Sequence, residues 1–349
     1  MNAVKTKKDN SKLVMTLLKG RTFIVLIILL IFFSLASPNF LSFSTITMLA
    51  KHVALYGILA IGMTFVIITG GIDLSVGSIV GLAGMIAGGM IQEGVTLKFM
   101  GVTLYFSVPV IVTFVLILGC AIGLVNGLVV TRLGVAPFIA TLGTMYICRG
   151  WASLRSNGAT FSSIAGQAAL GNTGFKLVGG NIGSIPVGAI IFLIYAVIGA
   201  YLLKKVPFGW HVLAVGGNNR AARLSGIKTR KVTVLVYIIS GFCAATVGMI
   251  NTAQLAAAHP ASGESWEMNA IAAAVLGGTS MAGGSGTILG TIVGAFVIGV
   301  INDGMTMCGV SEFWQKVIKG AVIILAVVID QAQRNLQAKM ALQSRNENK

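Results

Sequence analysis

Acidic side chains are what this 349-residue chain has least of: nine Asp and Glu stand against 25 Lys and Arg, and charged residues make up only 10% of the whole. A soluble globular domain carries roughly 25% charged residues, so that class is excluded. The three histidines (His52, His211, His259) are isolated from one another, and the four cysteines (Cys120, Cys148, Cys243, Cys308) are scattered. Their spacing indicates neither a metal site nor a disulfide framework. Catalytic signatures are missing as well. Without a G-x-x-x-x-G-K-[ST] stretch the chain has no P-loop for ATP. Without a nucleophile elbow or an H-E-x-x-H pair, an enzyme reading has no footing. Neither an Arg-rich voltage sensor nor a TVGYG-like filter is present, so a channel has none either.

What is present is apolar. Hydrophobic residues reach 56%, and the mean hydropathy is +0.91. One bilayer crossing needs about 20 apolar residues. The apolar runs predict an all-α polytopic membrane protein with about ten transmembrane helices, at 22–41, 53–70, 75–91, 105–130, 136–150, 186–203, 232–251, 267–282, 287–303 and 316–330. The 45 glycines fit, because small residues let membrane helices approach closely. The eighth run is short and rich in Ala and Gly. A full span and a re-entrant or broken helix both remain open for it, the latter tolerated only where protein or a cavity buries the backbone. The basic N-terminus lacks a small-residue cleavage site at signal-peptide distance, so the first run reads as a membrane helix.

Orientation follows from the cations. Residues 1–21, 204–231 and 331–349 hold most of the 25 Lys and Arg. Cytoplasmic loops collect positive charge, so both termini and the 204–231 loop are expected on the cytoplasmic side. That divides the chain into an arm (1–21), a membrane domain (22–330) and a tail (331–349). The polar 151–185 segment then lies outside. The net charge of +16 is explained by this rule, and no nucleic-acid partner is expected.

Two stretches resemble each other: "GGIDLSVGSIVGLAGMIAG" (70–88) and "GGTSMAGGSGTILGTIVGAFVIG" (277–299). Each is a glycine pair, a short polar link and a glycine-spaced helix. Transporters are often built from internal repeats. Convergent Gly-rich membrane sequence is the alternative.

Asp73 is the sharpest residue in the first stretch. At the centre of a membrane helix an Asp costs roughly 2.5–3.5 kcal/mol. At a helix N-cap it accepts from free N–H groups and faces the positive end of the dipole. Gly70 and Gly71 can end one helix, and Ser75 stands where the next begins. A cap and a place in the transport path both remain open for Asp73 and Ser75. Asn126, Glu267, Asn302 and Asp303, within or at the ends of later spans, are candidates for a cap or the path as well; for the deeper Asn126 an interhelical hydrogen bond is the further alternative. In the basic inner loop, Asn218 or Asn219 can cap a short helix that Gly226 stops. Such a helix suits docking onto a protein partner or onto anionic lipid.

Five stretches together resemble the membrane permease subunits of bacterial ATP-binding-cassette importers for monosaccharides, the ribose, galactose and xylose group. They are "AIGMTFVIITGGIDLSVGS" (60–78), "NGLVVTRLGVAPFIATLGTM" (126–145), "FGWHVLAVGGNNRAARLSGI" (208–227), "AIAAAVLGGTSMAGGSGTILGTIVGA" (270–295) and "FWQKVIKGAVIILAVVID" (313–330). The resemblance implies a bacterial inner-membrane protein that binds no cofactor itself. It implies a second permease copy, a separate ATPase subunit that uses ATP and Mg, and an extracytoplasmic sugar-binding protein. By the same resemblance, Gly209, Gly216, Gly217, Asn218, Arg220, Ala221, Ala222, Arg223, Ser225 and Gly226 form the loop that contacts the ATPase. Branched-chain amino-acid permeases are more distant relatives with similar patterns. An ion-coupled secondary transporter would instead want acids deep in its spans, and here the acids cluster near span ends.

Overall fold

The computed structural model describes residues 22–97 and 99–347; the expected cytoplasmic arm 1–21 lies outside them. The helices in chain order are α1 (Thr22–Ala36), α2 (Phe43–Ile68), α3 (Val76–Gln92), α4 (Val108–Arg132), α5 (Pro137–Leu154), the four-residue α6 (Lys176–Gly179), α7 (Val187–Lys205), α8 (Pro207–Gly217), α9 (Asn219–Leu224), α10 (Thr229–Leu255), α11 (Trp266–Leu276), α12 (Ile288–Met307) and α13 (Glu312–Glu347). Among the described residues, β-structure is limited to three two-stranded antiparallel pairs in the connections. The architecture is that of an all-α membrane protein.

A helix stands at each of the ten expected spans. Five of them, α2, α4, α7, α10 and α12, are long and apolar enough to cross a bilayer unaided. The eighth, α11, has 11 residues. At about 1.5 Å per residue it covers roughly half of a hydrocarbon core about 30 Å thick. Irregular backbone continues both of its ends, with Gly263, Thr279 and Ser280 buried in it.

Three boundaries differ from expectation. Helix α2 begins ten residues before the expected span, capped by Ser42, whose side chain accepts from the Thr45 N–H at 3.3 Å. The extension brings Lys51 and His52 into the helix, and His52 has a buried partner described below. In the basic 204–231 segment the expected short helix is α9, but a further helix, α8, precedes it where a loop was expected. Pro207 sits in the first turn of α8, where its missing N–H costs nothing. Finally, α13 runs through residue 330 into the tail without a break.

Helix α2 is the axis of the core, and α7, α10, α11 and α12 pack around it. Its residues 53–55 and 57–68 are all buried. The close seam between α4 and α10 comes from Gly119, Gly123 and Gly127, one turn apart. A methyl group at Gly123 would strike the Tyr237 carbonyl, and one at Gly119 the Gly241 carbonyl. This is the small-xxx-small logic of membrane helix packing. The outward faces of α1, α4 and α7 carry Leu35, Ile117, Leu193 and Val197 in exposed positions, as a lipid-facing surface requires.

Candidate functional site

The link between α2 and α3 starts with a helix stop. Gly70 adopts φ +81°, in the left-handed region. Its N–H donates to the Ile67 carbonyl, and the Gly71 N–H donates to that of Val66. This is a Schellman ending, and glycine is favoured there because it lacks a Cβ. Asp73 follows in the link and is completely buried. The structural N-cap of α3 is Ser75, and its side chain makes no capping bond. Asp73 therefore stands two residues ahead of the cap. Its Oδ1 accepts from the Ser75 N–H (3.0 Å) and from Ser75 Oγ (2.6 Å), and its Oδ2 accepts from Ser240 Oγ on α10 (2.7 Å). The chain of bonds goes further. Asn126 Nδ2 on α4 donates to Ser75 Oγ (2.9 Å), and Thr144 Oγ1 on α5 donates to Asn126 Oδ1 (2.6 Å). One carboxylate thus ties α3, α4, α5 and α10 together. Hydroxyls and an N–H stand in for the counter-ion that a buried charge otherwise needs.

The second Gly-Gly link repeats the stop. Gly278 adopts φ +87°, its N–H donates to the Val275 carbonyl, and the Thr279 N–H donates to that of Ala274. Gly278 is thus the counterpart of Gly70, so the repeat aligns the second glycine of one pair with the first of the other. The second link is longer, running from Gly277 to Thr287 before α12. The two links touch: the Gly284 N–H donates to the Ile68 carbonyl at 2.9 Å.

Helix α8 closes over that junction. A side chain at Gly216 would collide with the Ile68 carbonyl and the Gly284 N–H, whereas one at Gly217 meets nothing. Gly209, in the first turn of α8, is equally tight against the Leu202 and Leu203 carbonyls. Asn218 caps α9, its Oδ1 accepting from the Ala221 N–H at 2.9 Å. Ala222 is buried; Arg220, Ala221, Arg223, Ser225 and Gly226 are exposed. Gly226, at φ +85°, ends the turn. Beside α9 a cavity of about 310 Å³ is lined by Arg223, Arg230, Thr131 and the first link at Thr69 to Gly71. The cavity thus joins α9 to the first link.

The remaining candidates lie toward the other end of the bundle. Glu267 is in the first turn of α11, against Gly77 of α3, where any Cβ would meet its carboxylate and the Gly263 carbonyl. Nearby, Arg149 of α5 donates Nη1 to the carbonyls of Pro260 (2.5 Å) and Ser262 (2.8 Å), and Nη2 to that of Gly77 (3.4 Å). Arg149 pins the descending segment before α11 to the start of α3. On α12, Asn302 and Asp303 are buried. Asp303 Oδ1 accepts from His52 Nδ1 at 2.7 Å. Among the described residues, Asp303 Oδ2 has no hydrogen-bond partner.

Comparison with known proteins gives this arrangement a family. Residues 45–327 match the family described as branched-chain amino acid transport system, permease component. The chain belongs to this permease family. It is 43% identical over 313 residues to the ribose import permease protein of Bacillus subtilis, covering 88% of this chain and 91% of the relative. It is 40% identical over 316 residues to the galactose/methyl galactoside import permease protein of Haemophilus influenzae, covering 88% and 92%. The ribose import permease protein of Escherichia coli K12 is 37% identical over 323 residues, covering 90% and 94%. No solved structure matches the chain.

Several residues of the permease escape a reading of the sequence. His52 stands alone in the chain, yet its partner lies 251 positions away. Ser240 has the same character: nothing local marks it as the donor to Asp73. Arg149 carried a signal, being a cation at the end of an apolar run. The candidates also do not form one site. Asp73, Ser75 and Asn126 share one network, Asn302 and Asp303 another, and Glu267 lies apart beside Gly77 and Arg149.

Proposed function

We propose that the chain is the membrane permease of an ATP-driven importer for a monosaccharide of the ribose or galactose type. The observation that carries this reading is its likeness, over about nine tenths of its length, to permeases named for ribose and galactose import. The family description names branched-chain amino acids, but these individual relatives are sugar permeases. The chain carries no P-loop, so hydrolysis falls to a separate ATPase subunit. That partner docks on α8–α9, whose exposed Arg220, Arg223 and Leu224 offer charge and one apolar anchor. Ten helices cross the bilayer with both termini in the cytoplasm, in keeping with the basic arm, the basic α8–α9 segment and the tail. Two copies form the path, and an extracytoplasmic binding protein loads it. ATP binding shifts the pair between inward-open and outward-open states through differential contacts.

The test is uptake of labelled ribose, galactose and leucine into vesicles holding the whole importer with its ATPase and binding protein. Sugar uptake should require ATP and survive collapse of the proton and sodium gradients. Uptake that stops when the gradients collapse while ATP persists would replace this reading with an ion-coupled one. Uptake of leucine alone would move the cargo to amino acids.

A further inference from the structure

The cavity beside α9 has a volume of about 310 Å³, at the small end of the roughly 300–1,000 Å³ typical of small-molecule sites. Arg223 of α9 and Arg230 of α10 line it, together with Thr131, Thr229 and Thr233. No acid is among its lining residues. Among the described residues neither guanidinium is paired with a carboxylate. Asp73 is within electrostatic reach of Tyr237, which also lines the cavity. Both oxygens of Asp73 are already engaged by Ser75 and Ser240.

Helix α10 begins at this cavity. Its N-cap residue, Lys228, makes no side-chain capping bond. Among the described residues the N–H groups of Arg230 and Lys231 meet no acceptor. Thr131 turns its hydroxyl back to the Gly127 carbonyl at 2.7 Å. Thr229 is only 8% exposed and lines the cavity, yet its hydroxyl has no hydrogen-bond partner among the described residues. A buried polar group without a partner is costly, and one that lines a cavity is satisfied by what enters it.

We infer that this cavity binds a phosphate group, carried by a soluble metabolite or by a lipid headgroup. Helix N-termini and arginine forks both suit oxyanions. The available donors are two guanidinium forks, the uncapped first turn of α10 and the Thr229 and Thr233 hydroxyls. That is more than the two oxygens of a carboxylate can use, and it suits the four of a phosphate. Residues of α9, of α10 and of the first link at Thr69 to Gly71 all line the cavity, so an occupant ties the three together. The inference goes beyond the proposed function and does not depend on the cargo.

Arg223 is also offered to the ATPase, so the experiment reads binding to the full-length chain rather than uptake. Inorganic phosphate is titrated by calorimetry into the chain purified in a phosphate-free maltoside, at constant ionic strength. The phosphorus retained by the chain is assayed alongside. Saturable phosphate binding should weaken about tenfold or more in Arg230→Gln and about threefold or more in Thr229→Val, and persist in Thr229→Ser. That result supports the site and assigns it to soluble phosphates. Retained lipid phosphorus that Arg230→Gln releases supports it equally and assigns it to headgroups. Absence of both overturns the inference. So does phosphate binding that neither Arg230→Gln nor Thr229→Val weakens. Should these variants not fold, acetate on the wild-type chain decides: acetate binding as tightly as phosphate overturns the inference, and binding at least about tenfold weaker supports it.

Discussion

Two buried aspartates of this chain are in opposite states. Asp73 is wholly inaccessible and Asp303 is 5% exposed, so burial does not tell them apart. Their partners do. Both oxygens of Asp73 are engaged by three donors, and those donors connect to helices α3, α4, α5 and α10. Asp303 has one oxygen on His52, and its Oδ2 has no hydrogen-bond partner among the described residues. A fully satisfied polar network makes structure rigid and specific. The first is a fastening shared by four helices; the second is a single pair between α2 and α12.

The harshest way to break that distinction is Asp73→Ala. The substitution strands the Ser75 N–H, the Ser75 hydroxyl and the Ser240 hydroxyl in a dry interior. At about 1–3 kcal/mol for each unsatisfied group, and with some of the hydroxyls re-pairing, the loss should be about 3 kcal/mol or more. Thermal unfolding of the detergent-purified chain reads it. A loss under about 1 kcal/mol would mean that Asp73 fastens nothing.

How much of this was legible beforehand depends on the range of the interaction. Local physics reads well from sequence. The ten apolar runs mark ten helices, and Gly226 and Asn218 bracket α9 as their residue types suggest. Gly70 stops α2, as a glycine pair after an apolar run implies. Asp73 as the cap of α3 does not hold: Ser75 is the N-cap, and Asp73 stands two residues ahead of it, accepting from the Ser75 N–H. What the sequence hides is the far partner. Ser240 lies 167 positions from Asp73, and nothing distinguishes its hydroxyl from other serines in apolar runs. His52 and Asp303 pose the same problem, each looking like a span-end residue facing water. Helix α8 was hidden for a different reason: its apolar stretch is too short to signal a span and its neighbours are basic, so it reads as a loop.

A gentler probe removes one strand of the Asp73 network at a time. Ser240→Ala leaves Asp73 Oδ2 without a donor and should cost about 1–3 kcal/mol. Asn126→Ala cuts the link from Thr144 to Ser75 and should cost about 0.6–1.7 kcal/mol, the range of interhelical bonds in membranes. Both act through the same carboxylate, so the double variant should depart from additivity by at least about 0.5 kcal/mol. Strict additivity in the unfolding data would show two separate contacts rather than one network.

The smallest effect on stability is expected at Asp303, and there the contrast is sharpest. Asp303→Asn keeps the shape of the side chain and can still accept from His52 Nδ1. It weakens that bond, because a neutral acceptor is poorer than a carboxylate. It also removes a charge from a buried position at membrane depth, which is favourable. These two changes oppose each other, so the unfolding temperature should move little, by an equivalent of about 0.5 kcal/mol or less. The Asp73 and Asp303 variants would then differ several-fold in stability although both acids are buried. If Asp303→Asn unfolds as easily as Asp73→Ala, the number of hydrogen-bond partners does not set what a buried acid contributes, because the second acid would be a fastening like the first.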